Sequence, residues 1–145
     1  MDKIKFTIEI NAPREKVWSS LWEDANYRNW TSAFTEGSYA ESDWNEGSKI
    51  LFLTPKGAGM YSKIEKKVAN EMMSFKHLGE IKDFKELPKD DKSASWSGSC
   101  ENYYLKSTDN GTHLTVELDV VPEFADYFND MFPKALKKVK EIAEG

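Results

Sequence analysis

The last stretch of the chain, from Glu123 to Glu144, constrains the fold more than any other. Phe124, Phe128, Met131, Phe132, Ala135, Val139 and Ile142 recur at steps of three and four, with Met131 and Phe132 adjacent. That spacing sets them on one face of an α-helix. Asp126, Asp130, Lys134, Lys137, Lys138 and Glu141 occupy the opposite face. Pro122 stands just ahead, where a missing N–H costs nothing. Lysines gather toward the far end, where they suit the helix dipole. Such a helix is about six turns long and needs a broad apolar surface to lie on.

The remainder reads as that surface. Ile4, Phe6, Ile8 and Ile10 alternate with Lys5, Thr7 and Glu9, the pattern of a half-buried strand over Lys3 to Ile10. Pro13 then opens a short helix whose apolar side is Val17, Trp18, Leu21 and Trp22. A second short helix is expected within Ala25 to Phe34, with Tyr27, Trp30 and Phe34 inward. Tyr39 to Glu41 reads as a brief strand and Trp44 to Gly47 as a turn. Strands are expected over Lys49 to Thr54, Gly59 to Val68, Met72 to Leu78, Ser95 to Lys106 and Thr112 to Val121. Gly79 to Ser93, polar and charged, reads as a long exposed loop. Consecutive strands joined by short turns imply an antiparallel sheet. The expected class is α+β: a curved antiparallel sheet of six or seven strands wrapped around a long C-terminal helix, with two short helices after the first strand. No repeat or linker divides residues 1–145, which read as one domain.

Composition narrows the classes of function. Twenty Lys and Arg against 25 Asp and Glu give a net charge of -5, which argues against nucleic acid or an anionic membrane as the main partner. One cysteine, Cys100, forbids an internal disulfide and suits a reducing compartment. The first residues lack the apolar core of a signal peptide, and no stretch reaches the ~18 to 20 apolar residues of a membrane helix. The reading is a cytoplasmic protein without a membrane span. Five Trp, six Tyr and eight Phe exceed what an ordinary core needs, which suggests an apolar cavity or an interaction surface.

Chemical signatures are sparse. Gly57-Ala58-Gly59 lies between strands and reads as a turn, not a phosphate loop. Two histidines, His77 and His113, and one cysteine do not make a zinc site. The sequence Asp43 to Gly47 lacks the closing ligand of a calcium loop. No metal or cofactor is expected.

Side-chain direction gives a sharper point. With Asn110-Gly111 as a two-residue turn, Leu105 faces Val116, Tyr103 faces Leu118 and Glu101 faces Val120. Directly opposed residues share a face. The face bearing Leu114, Val116, Leu118 and Val120 is apolar and therefore inner, so Glu101 and Tyr103 point inward. A one-residue bulge would turn Glu101 outward. Met73, Phe75 and His77 share the inner parity of their own strand. Trp96 and Cys100 fall on the outer parity.

The element order and several local motifs resemble the helix-grip fold of the START-like (SRPBCC) superfamily. Within it, the chain is similar to bacterial homologues of the activator of heat-shock-protein-90 ATPase. The resemblance spans nearly the whole chain. It rests on Ile10 to Trp18 (INAPREKVW), Trp30, Gly47 to Ile50 (GSKI), Phe75 to Gly79 (FKHLG) and Gly111 to Val116 (GTHLTV). It implies that the strands carrying His77 and Glu101 are neighbours, so that His77, Glu101 and Tyr103 meet inside the concavity. It also implies a cavity between sheet and final helix that takes an apolar small molecule. Trp30, Phe52, Phe75, Phe124, Phe128 and Phe132 are the expected walls. The function so implied is non-catalytic binding of a lipid-like or polyketide-like molecule. The alternatives are a chaperone-ATPase regulator, with a chaperone as partner in a stress response, and a cyclase or dehydratase using the same cavity.

Overall fold

A computed structural model describes residues 1–145, with the side chains of all but residues 91 and 92. The chain runs β1 (Asp2–Ile10), α1 (Arg14–Trp22), α2 (Asp24–Thr31), β2 (Tyr39–Glu41), β3 (Lys49–Leu53), β4 (Gly59–Val68), β5 (Met72–Lys82), β6 (Lys85–Glu86), α3 (Asp91–Ala94), β7 (Cys100–Thr108) and β8 (Gly111–Val120). A 3-10 turn (Pro122–Phe124) leads into α4 (Ala125–Glu144). All strand pairs are antiparallel. They form one curved sheet of eight strands in the order β1-β8-β7-β5-β4-β3-β2, with β6 added to β5. The expected α+β class and the long terminal helix are both present. The strand count is one above the upper expectation, because β6 was not foreseen.

The terminal helix sits on the first strand and the two short helices. α4 contacts β1, α1 and α2. Phe132 stacks on Phe6 of β1, with ring centroids 5.1 Å apart, and meets the Phe34 ring edge-on at 4.9 Å. Ala135, Leu136, Val139 and Ala143 follow it into the core. Leu136 and Ala143 widen the apolar stripe beyond the expected residues. Pro133 lies inside the helix but on its exposed side. The carbonyl of Asn129 that thereby loses its partner can turn to water. The C-terminal end is pinned: Asn11 N–H donates to Glu144 Oε2 at 2.8 Å, and Lys140 Nζ donates to the Glu9 carbonyl at 2.8 Å.

α1 and α2 are separated by Glu23 alone. Its extended backbone (φ -63°, ψ 139°) ends one helix and caps the next. The bend brings Trp22, Tyr27 and Trp30 together over the sheet.

Two expectations fail. The stretch from Gly79 to Ser93 is not a long exposed loop. β5 continues to Lys82, turns through Asp83 and Phe84, and returns as β6; Asp90 and Ser93 then form a capping box for α3. Both turn residues have positive φ (52° and 64°), the conformation of a tight hairpin, but neither is the Asn or Gly that advertises one. The second failure is the β7–β8 turn. Asp109 and Asn110 occupy it, and Thr108 pairs with Gly111. Leu105 therefore faces Leu114, Tyr103 faces Val116 and Glu101 faces Leu118. The register slips by two residues from the expected one. An even slip preserves which face each side chain takes, so the inward direction of Glu101 and Tyr103 survives.

Gly111 explains where the turn falls. Its φ is +155°, and a Cβ there would lie 2.2 Å from the Ile10 carbonyl oxygen. Only glycine lets β8 begin against the end of β1. Gly111→Ala is expected to lower stability by about 2 kcal/mol or more, checked by urea unfolding.

Candidate functional site

Four polar side chains from three adjacent strands meet on the concave face. His77 of β5 is buried, and Ser62 of β4, directly opposite it, is fully buried. Ser62 Oγ lies 2.7 Å from His77 Nδ1. On the other side of the ring, His77 Nε2 lies 3.0 Å from Glu101 Oε1. The second oxygen, Glu101 Oε2, accepts a hydrogen bond from the Tyr103 hydroxyl. One tautomer satisfies every atom: the Ser62 hydroxyl donates to Nδ1, and Nε2–H donates to Glu101. Glu101 faces Leu118 and Tyr103 faces Val116, so the carboxylate is held above an apolar floor. A carboxylate accepts at about four positions; two are used here and two remain for the cavity.

The expected meeting of His77, Glu101 and Tyr103 thus occurs. A bulge is present too, but on β5, not on β7. Tyr61 pairs with Gly79 and Ser62 with His77, which leaves Leu78 as the extra residue. The bulge flips the parity beyond it. Glu80 consequently pairs with Met60 and takes the concave face, three residues after His77 on the same face.

Two cavities adjoin this corner. The first, about 220 Å³, lies under α2 and the N-terminal half of α4; Trp30, Phe52, Tyr103 and Phe132 are among its walls. The second, about 350 Å³, opens toward the turn before β7 and the start of α4 and includes His77, Glu80, Trp96 and Phe124. Glu101, Met60, Tyr127 and Phe128 belong to both.

The expected walls divide in the structure. Trp30, Phe52 and Phe132 line the first cavity, Phe124 the second, and Phe128 both. Phe75 lines neither. It is fully buried among Trp22, Phe52 and Tyr103, a core residue and not a wall. Phe124 is 46% exposed, at the rim and not in the interior. Trp96, expected outside, lines the second cavity because β7 starts only at Cys100; Trp96 belongs to the turn before it, where strand parity has no meaning. Ser62, Glu80 and Tyr127 were not foreseen. Ser62 carries no signal in a polar strand until its pairing with His77 is known. Glu80 needs the bulge, and Tyr127 lies off the main apolar stripe of α4.

The surplus aromatics have a structural use at the closed end of the concavity. Trp22, Tyr27, Trp30, Trp44, Phe52, Phe75 and Tyr103 form one cluster, with Trp22 and Tyr103 centroids only 4.9 Å apart. Trp44 reaches it from a residue at φ +62°, a costly backbone conformation for a bulky side chain. Trp30 Nε1 donates to the Leu21 carbonyl at 2.9 Å. Trp22 Nε1 is the one buried side-chain nitrogen or oxygen without a partner among the described residues.

Burial pushes the Tyr103 hydroxyl well above the ordinary tyrosine range, and the adjacent Glu101 charge pushes it further. Tyr27 is raised for the same two reasons, burial first. Both phenols are therefore neutral in the folded state where an unfolded tyrosine begins to ionise, at about pH 10. A raised folded pKa stabilises fully below the unfolded value and less as pH climbs above it. Stability is expected to hold up to about pH 10 and fall beyond it. A tyrosinate-absorbance titration should show Tyr27 and Tyr103 ionising only with unfolding, and Tyr103→Phe should flatten the fall. His77→Ala leaves the Ser62 hydroxyl and one Glu101 oxygen unpaired and should cost about 2 kcal/mol in urea unfolding.

Among the described residues, no group of three or more His, Cys, Asp or Glu is placed to hold a metal ion. Among them also, no helix is long and apolar enough to cross a membrane.

Comparison with known proteins agrees with this architecture. Residues 11–144 match the family described as Activator of Hsp90 ATPase homolog 1-like protein. The solution structure of the Aha1 dimer from Colwellia psychrerythraea is similar with a TM-score of 0.76 at 22% identity, over 99% of this chain and 97% of that one. Protein MLL2253 from Mesorhizobium loti is similar with a TM-score of 0.73 at 16% identity, over 97% and 96% of the two chains. An AHSA1-like protein from Aeromonas hydrophila is similar with a TM-score of 0.71 at 15% identity, over 99% and 92%. At these identities the likeness shows the fold. No curated protein sequence is similar enough to match.

Proposed function

The chain belongs to the Activator of Hsp90 ATPase homolog 1-like family, and we propose that it is a non-catalytic binding domain for an apolar or aromatic small molecule. One observation carries this reading: two apolar cavities, about 220 and 350 Å³, share walls at a single hydrogen-bonded carboxylate. Cavities of roughly 300–1,000 Å³ with mostly apolar walls and few polar groups are the usual form of small-molecule sites. The rings of Phe52, Phe128 and Phe132 would hold the ligand body, and Glu101, set by His77 and Tyr103, would orient its polar end.

The engagement of His77 and Ser62 supports binding over catalysis by that pair. Both ring nitrogens of His77 are engaged, and Ser62 is fully buried behind it. A nucleophile or general base must reach the reacting atom with a free lone pair; Ser62 is fully buried and both nitrogens of His77 already have partners.

The family description suggests a different partner, a chaperone ATPase. Phe124 and Tyr127, 46% and 42% exposed at the cavity rim, are aromatic residues that such a partner could cover. The two readings separate in one experiment. The protein is screened by thermal shift against lipid-like and aromatic compounds, and hits are mapped by chemical-shift changes. Binding predicts that a compound at 100 times its Kd stabilises the fold by about 2.7 kcal/mol and perturbs Tyr103 and Phe128. Phe128→Ala, which removes a wall common to both cavities, should weaken that compound about tenfold or more. Should no compound stabilise the protein while a chaperone ATPase perturbs Phe124 and Tyr127, the partner reading replaces this one.

A further inference from the structure

The charge of the cavity lining selects the kind of molecule it accepts. Among the described residues, no lysine or arginine lines either cavity. Glu101 lies at the junction, and the bulge at Leu78 adds Glu80 to the same face in the second cavity. Its carboxylate makes no hydrogen bond or ion pair with any described residue. Asp119 also borders the second cavity, but its carboxylate is already engaged. Oδ2 accepts the Cys100 N–H at 2.9 Å, and Oδ1 lies 3.6 Å from Lys3 Nζ. Arg28, stacked on the Tyr39 ring at the edge of the first cavity, is tied to Asp24 at 3.0 Å.

The walls around these two carboxylates are aromatic. Trp96, Phe124, Tyr127 and Phe128 all line the second cavity. Aromatic faces attract cations through their quadrupole, and most strongly where water is excluded. Carboxylates in a partly enclosed apolar space repel an anionic end group and attract a cationic one. A fatty-acid head would meet the Glu101 and Glu80 carboxylates, with no lysine or arginine among the described lining residues.

We propose that the second cavity is a recognition site for an organic ammonium. The charged nitrogen would sit between Glu101 and Glu80 against the ring faces, and the apolar body would extend along Phe128 into the first cavity. This rests on the binding role proposed above and names its ligand class. A protonated amine also supplies N–H donors for the two acceptor positions of Glu101 that His77 and Tyr103 leave open.

The test uses three probes with one body and different heads: naphthalenemethylamine, naphthalenemethanol and naphthoate. Each is titrated into the intact protein at low salt and followed by chemical-shift changes at Glu101, Tyr127 and Phe128. The amine is expected to bind at least about tenfold more tightly than the alcohol, with the acid weakest. Raising the salt concentration should weaken the amine and leave the alcohol unchanged. Glu101→Gln should bring the amine down to the affinity of the alcohol. Glu80→Gln, at a half-exposed position outside the hydrogen-bonded corner, should do so in part even if the first variant fails to fold. An alcohol or acid that binds as tightly as the amine overturns the ammonium site and leaves the binding role standing. If none of the three binds, both are overturned together.

Discussion

Phe132 is the contact on which the rest of the molecule depends. Its ring stacks on Phe6 of the first strand, takes the edge of Phe34 and touches Phe128 one turn earlier. The first strand, the turn after α2 and the terminal helix meet at this one side chain. Past it, Ala135, Leu136, Val139 and Ala143 are all buried, so the C-terminal part of α4 is firmly seated. Ahead of it, Ala125 and Phe128 are only partly buried, and Phe124 and Tyr127 stay exposed at the cavity rim. The helix therefore covers one end of the concave sheet and leaves the other less filled. The two cavities lie where the seating stops. Their existence follows from where along α4 the large apolar side chains end.

Burying a carboxylate in such a place is costly unless its charge is met by donors. His77 and Tyr103 meet it, and Ser62 completes the histidine. The chain of four groups leaves no member unsatisfied, which suits it to hold a fixed orientation. Its position is equally constrained. Glu101 and Tyr103 are two residues apart on β7, His77 sits beside them on β5, and Ser62 lies opposite His77 on β4. Sheet geometry alone brings the four together, and the aromatic cluster around Trp22 packs against Phe75 and Tyr103 of the same strands.

The same sheet shows how one extra residue changes chemistry. Without the bulge at Leu78, strict alternation would send Glu80 to the convex face. With it, Glu80 joins His77 and Met60 on the concave one. Bulges next to sites commonly re-aim a side chain in this way. The second cavity acquires the Glu80 carboxylate from that irregularity and from no feature of composition.

The sequence by itself determined the long helix, the alternating strands, the two short helices and the inner face of β7. Each depends on a period of 3.6 or 2 that is written locally in the residues. The inward direction of Glu101 was legible even though the assumed turn was misplaced, because the error of two residues preserved parity. Only the tertiary structure decided the rest. That Phe75 fills core while Phe52 borders space depends on what Trp22 and Tyr103 press against it. That Ser62 serves His77 depends on a register with a bulge in it, and the bulge has no local mark. That Asp83 and Phe84 make a tight turn follows from the pairing of β5 with β6, which overrides the poor fit of the bulky Phe84 to positive φ. Periodicity is a property of neighbours along the chain; cavities, bulges and hydrogen-bonded corners belong to neighbours across it, and they exist only once the strands have paired.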